Sequence, residues 1–263
     1  MKVAKLGGSS VLNAKKIYKV LDLVNEDPER KIIIVSAPGK RSKDDTKTTD
    51  LLIRLYEKVL NGLDYQSKKK EIIQRYADIV RELVMDKEIL TTIDETLERY
   101  ISQLYDKPAR LYDALLSCGE DFNAQLIASY NNSQGIPTRY VSPKEAGLTV
   151  TDLPQQAQII DSSYEDIYKL RDYNEKLIIP GFFGISKNDY IVTFPRGGSD
   201  ITGAIIAGGV KASLYENFTD VSGIFKANPT IIDKPELIEE ITYREMRELS
   251  YAGFGVFHDE ALQ

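Results

Sequence analysis

The sequence predicts an α/β fold, a sandwich of helices on a mostly parallel central sheet. Three observations carry this. Residues 3–35 read as strand, helix, strand at the spacing of a βαβ unit. Ile32-Ile33-Ile34-Val35 is a continuous β-branched run, as expected of a parallel strand covered on both faces. Strand-like and helix-like segments then alternate along the rest of the chain, the pattern of a parallel sheet flanked by helices.

The elements follow in order. Residues 3–6 form a short strand ended by Gly7-Gly8, and in 11–24 Val11, Ile17, Val20, Leu21 and Val24 recur at helical spacing. Residues 38–47 are polar and charged and read as a mobile loop. Residues 50–116 are almost wholly helical, an insertion broken near Asn61-Gly62 and Lys107-Pro108. Ser117-Cys118-Gly119-Glu120 reads as a helix start, and the helix through 119–130 gives way at Gly135-Ile136-Pro137 to a strand at 138–141. The β-rich runs 177–180 and 190–194 flank 181–189 as a hairpin or as adjacent strands. Residues 203–209 are a small-residue helix suited to close packing, 212–218 a strand, 219–223 a turn at its carboxyl end, and 243–251 a helix.

Bulk properties narrow the function. With 34 basic and 40 acidic residues, the net charge of −6 argues against a nucleic-acid role. The single Cys118 excludes an internal disulfide, favours a reducing compartment, and reads as a small buried hydrophobe. One histidine, His258, cannot build a zinc site with one distant cysteine, so no metal ligands are expected from these residues. Met1-Lys2 leads directly into a strand, and no apolar run is long enough to span a bilayer. A cytoplasmic protein without membrane partners is expected.

Chemistry concentrates at two diglycine turns. Lys5-Leu6-Gly7-Gly8-Ser9-Ser10 and Arg196-Gly197-Gly198-Ser199-Asp200 each set a basic residue against a Gly-Gly-Ser turn between strand-like and helix-like runs. Glycines let the backbone N–H groups approach a ligand, and a following helix adds unpaired donors and a positive dipole end. Two anion seats in one chain suggest two anionic reactants brought together, the requirement of phosphoryl transfer. Ligands in such sheets sit at the carboxyl ends of strands, where these turns fall.

Lys5 can offset charge on transferring phosphate oxygens without a proton change, whereas alone it would read as an exposed strand lysine. Arg196 offers a planar fork for a carboxylate. Ser199 is either a hydroxyl donor or a plain N-cap. Asp200 is a cap, or it orients lysines or a magnesium ion. Glu120 is either a helix-dipole carboxylate or the partner of Arg196 in holding an amino acid by its ammonium and α-carboxylate. Thr219-Asp220 followed by Gly223-Ile224-Phe225 can meet a nucleotide, with low specificity by itself; Thr49, Lys226 and Lys234 are weaker candidates.

These motifs, with Lys47-Thr48-Thr49-Asp50, occur in the order seen in aspartate kinases, and the chain resembles that family throughout. The resemblance implies the amino-acid kinase fold, a three-layer αβα sandwich with an amino-acid lobe (1–195, including the insertion 50–116) and a nucleotide lobe (196–263). It implies transfer of the γ-phosphoryl group of Mg-ATP to the β-carboxylate of L-aspartate, the entry step to lysine, threonine and methionine biosynthesis. Carried over by position, Lys5, Gly7, Gly8 and Ser9 face the transferring phosphate. Thr49, Glu120, Phe182, Arg196, Gly198 and Ser199 surround aspartate, and Thr219, Asp220 and Phe225 contact the nucleotide. A homodimer is also implied. Leu6 stands where the family usually has Phe. Lys226-Ala227-Asn228-Pro229-Thr230 replaces the usual Thr-Thr-Asp-Pro-Arg, so Thr230 cannot supply the phosphate cation and Lys226 or Lys234 is left to compensate. No ACT regulatory module is expected within residues 1–263. A non-catalytic amino-acid-binding domain and a kinase for another amino acid are the alternatives.

Overall fold

The structure is a computed structural model that describes residues 1–195, 197–219, 223–225, 235–242, 244, 245 and 248. Its centre is a five-stranded sheet in the order β3-β5-β2-β1-β8, every neighbouring pair parallel. The strands are β1 (Lys2–Leu6), β2 (Arg30–Val35), β3 (Thr138–Tyr140), β5 (Lys176–Pro180) and β8 (Leu214–Phe218).

Alternation along the strands divides the core. Ala4, Leu6, Ile33, Val35 and Ile178 pack on one face against α1 (Ala14–Asn25), α2 (Thr48–Leu60) and α5 (Pro108–Ser133). Behind these helices α3 (Gln66–Glu82) and α4 (Glu88–Leu104) complete the same cluster. Val3, Ile32, Ile34 and Ile179 pack on the other face against Ile167 of α6 (Ser163–Tyr168) and Ile206 of α7 (Gly198–Gly209). Helices therefore cover both faces, which is why β2 is apolar at consecutive positions. Lys5 lies on the Val3 face by the same alternation, toward α7.

Three local expectations change. The helix expected at 11–24 begins at Ala14, because Gly8–Ser10 forms a 3₁₀ turn and Asn13 Oδ1 accepts the Lys16 N–H at 3.0 Å as the cap. Glu120 is not at a helix start: α5 opens at Pro108 and runs unbroken past Gly119. The run 177–180 joins the main sheet, while the hairpin forms between β6 (Phe183–Ser186) and β7 (Ile191–Thr193). With β4 (Thr149–Val150) this pair makes a second, three-stranded sheet. The separation arises at Phe182, whose φ of 77° turns the chain out of the main sheet after Gly181.

The loop expected to be mobile at 38–47 is tied to the body. Thr48 Oγ1 donates to Pro38 O at 2.7 Å, and Arg75 of α3 donates to Gly39 O, Thr46 O and Asp45. The small-residue helix is α7, which packs Gly203 on Tyr215 and Gly209 on Ile167. A two-stranded ladder of β9 (Ile224–Phe225) and β10 (Leu237–Ile238) follows. The helix expected at 243–251 lies outside the described residues except for 244, 245 and 248. No helix among the described residues is long and apolar enough to cross a membrane.

Candidate active site

The carboxyl ends of β1, β2 and β5 and the first turns of α2 and α7 enclose a cleft of about 370 Å³. Seven of the candidate residues line it: Lys5, Thr49, Glu120, Phe182, Gly198, Ser199 and Asp200. Ser36, Lys47, Asp50 and Gly197 complete the lining. Two helix N-termini with unsatisfied N–H donors and positive dipole ends therefore open onto one space. Such a space is suited to anions.

Lys5 is only 7% exposed and its Nζ lies 2.7 Å from Asp200 Oδ1. The parallel register sets Asn217 of β8 beside Lys5, and Asn217 Nδ2 donates to the same Asp200 oxygen at 3.1 Å. Asp200 thus pairs with the lysine. An ammonium has three donors and Asp200 takes one. Ser199 is not the N-cap of α7. That position belongs to Gly197, left-handed at φ 85°, and Ser199 sits inside the first turn.

Glu120 projects from the middle of α5 and is 7% exposed. Burial pushes its carboxyl up to about 8, against a backbone hydrogen bond from Ala37 and the charge of Lys5. Its Oε2 is buried without a partner. A buried acceptor of this kind calls for a donor. Phe182 holds a conformation costly for a bulky side chain, about 1–3 kcal/mol. Its N–H donates to Thr202 Oγ1 at 3.0 Å and its carbonyl accepts from Phe194 N at 2.8 Å. A Cβ on Gly198 would lie 2.6 Å from the Phe182 ring, so only glycine admits this contact.

The first glycine turn borders the cleft from β1. Gly7 donates to Phe218 O at 2.9 Å, and a Cβ on Gly7 would lie 3.8 Å from Lys5 Nζ. Gly8 O accepts from Gly39 N at 2.9 Å, and a Cβ on Gly8 would meet Ala37 O at 2.8 Å. Ser9 and Thr219 line a separate cleft of about 180 Å³, with Ser10, Lys16, Lys19 and Phe218. Arg196 and Asp220 lie outside the described residues, as does the side chain of Phe225; so do Lys226, Thr230 and Lys234.

Sequence reasoning missed Ser36 and Asn217. Their signal was topological, since each lies at the carboxyl end of a parallel strand. Among the described residues no group of three His, Cys, Asp or Glu side chains could hold a metal ion. The donor set fits magnesium only as an ion carried in on substrate phosphates, its usual mode.

The chain matches the amino acid kinase family over residues 1–263 and belongs to it. It is similar to aspartokinase 3 of Bacillus subtilis (strain 168), with 47% identity over 262 residues, covering 100% of this chain and 58% of that protein. Chloroplastic aspartokinase 1 of Arabidopsis thaliana is 30% identical over 276 residues, covering 99% of this chain and 47% of its own. The crystal structure of Clostridium acetobutylicum aspartate kinase has the same fold, with a TM-score of 0.83 at 38% identity over 100% of this chain and 57% of that one. The chain spans about half the length of the curated relatives it matches.

Proposed function

We propose that this chain transfers the γ-phosphoryl group of Mg-ATP to the β-carboxylate of L-aspartate, giving 4-phospho-L-aspartate. The observation that carries the reading is the meeting of Lys5, Asp200, Glu120 and the N-termini of α2 and α7 in one cleft. It joins an anion seat to a buried carboxyl with one oxygen unpartnered, as an amino-acid acceptor and a phosphate donor require. The names of the relatives support aspartate as the acceptor.

In this reading Glu120 receives the substrate ammonium, and Thr49, Phe182, Gly198 and Ser199 shape the pocket. Arg196 would take the α-carboxylate. Lys5, held by Asp200, neutralises charge on the transferring phosphoryl beside Gly7 and Gly8, and Ser9 serves the phosphates from the cleft it lines with Thr219. Thr219, Asp220 and Phe225 serve the nucleotide. The acceptor carboxylate is already ionised at neutral pH, so positioning and charge neutralisation suffice without a general base. The two lobes are 1–195 and 196–263, sharing one sheet. We place the reaction at the entry to lysine, threonine and methionine biosynthesis, in the cytoplasm, in a homodimer that engages small molecules; the net charge of −6 supports these over nucleic acid.

Incubation with aspartate, Mg-ATP and hydroxylamine tests this. Aspartohydroxamate should accumulate in step with ADP. Aspartate binding by calorimetry with no trapped product would instead establish a binding domain.

A further inference from the structure

Arg75 occupies a core position of α3, on the stripe with Ile72, Tyr76 and Ile79, and is 3% exposed. A guanidinium there is costly unless its donors are used. All its hydrogen bonds go to one segment, the loop from Gly39 and the first residue of α2. Nη1 donates to Gly39 O at 3.0 Å and Thr48 Oγ1 at 3.3 Å; Nη2 donates to Thr46 O at 2.6 Å and Asp45 Oδ2 at 2.7 Å. Nε has no partner.

That loop touches two parts of the cleft and the glycine turn beside it. Gly39 N donates to Gly8 O at 2.9 Å, Ala37 donates a backbone hydrogen bond to Glu120, and Thr48 begins the helix that presents Thr49 and Asp50. The Gly39 end is packed without slack, since a Cβ on Gly39 would lie 2.8 Å from Gly8 O. Arg41 also binds Asp45, at 3.1 Å, and reaches Asp78 of α3 at 3.3 Å, but its side chain is 43% exposed. The buried anchor is Arg75.

We propose that Arg75 is a positioning residue that fixes the 37–48 segment, and through it sets Gly8, Glu120 and Thr49 for the reaction. It touches no reactant. The effect on kinetics rests on the aspartate kinase reading above, whereas the effect on the loop does not.

The test compares Arg75→Lys and Arg75→Met with wild type in the full chain, by hydrogen–deuterium exchange and by steady-state kinetics. A lysine cannot serve four acceptors spread along a loop, so Arg75→Lys should already loosen it. Exchange across 37–48 should accelerate in both variants while α4 and α5 keep their protection. The aspartate KM should rise and kcat fall, together about 10–100-fold in kcat/KM, as for a misplacement made away from the reacting atoms. Guanidinium ion should restore part of the loss in Arg75→Ala. Loop exchange and aspartate KM within twofold of wild type in Arg75→Lys would overturn the proposal. An inactive wild type with a loosened loop in the variants would instead reject aspartate as substrate and leave the anchoring role intact.

Discussion

Glu120 couples the chemistry of the cleft to pH. Burial raises its carboxyl to about 8, so at neutral pH the free site holds it largely protonated. In the proposed reaction the incoming ammonium binds the ionised form and must displace that proton. Aspartate affinity should therefore fall about tenfold per pH unit as pH drops below about 8, and level off above it. The aspartate KM between pH 6 and 9 measures this, and a flat profile would remove Glu120 from substrate binding. Glu120→Gln should flatten the profile and weaken aspartate throughout. The free protein responds oppositely. A carboxyl raised in the folded state contributes stability below its ordinary value of 4.5 and loses it as pH climbs through the folded value. In the proposed reaction Lys5 acts on the transition state instead. Lys5→Met should lower kcat by about 10²–10³-fold, the cost of removing one preorganised donor, while aspartate KM stays within a few fold. An unchanged kcat would show that Lys5 serves only to hold Asp200.

Between elements, the joint of α7 with the main sheet sets the shape of the proposed acceptor pocket. Thr202 is fully buried; its hydroxyl donates to Gly198 O at 2.9 Å and accepts the Phe182 N–H at 3.0 Å. It therefore ties the first turn of α7 to the left-handed residue between β5 and β6. Thr202→Val keeps the volume but strands the Phe182 donor, at about 1–3 kcal/mol. Thermal unfolding should register that loss, and aspartate KM should rise because Ser199 and Phe182 shift together. A stable variant with normal KM would mean that the pocket does not depend on this joint. Much of this level was legible in the sequence, including the diglycine turns, the breaks at Gly62 and Pro108, and the apolar run of β2. Other parts were not. Gly119 reads as a helix start, yet in α5 it is the point where Ala37 approaches the helix, since a Cβ there would lie 2.8 Å from Ala37 Cβ. Arg75 looks like any other base on a charged helix until the 38–47 loop returns over it. The hairpin could not be assigned because a positive φ at a phenylalanine has no sequence signal.

At the scale of the whole molecule, one sheet joins the start of the chain to its later part. β8 pairs with β1 from Lys2↔Leu214 to Leu6↔Phe218, and Ile206 and Val210 cover Val3, Ile32 and Ile34. The lobes proposed here as 1–195 and 196–263 are thus regions around a shared cleft that depend on each other for their core. Cutting after residue 195 would strip α7 and β8 from the sheet, leave β1 as an unprotected edge, and expose the apolar face of β1 and β2. It would also remove Asp200 and Asn217, the groups that hold the Lys5 ammonium in place. The fragment 1–195 should therefore keep helical circular dichroism from α2 to α5, since the buried residues they cluster with run from Ala4 to Ile178. It should lose cooperative thermal unfolding, bind hydrophobic dye and associate through the bared strand edge. A fragment that unfolds cooperatively as a monomer would show that the amino-acid lobe is autonomous, with the shared sheet serving catalysis rather than folding.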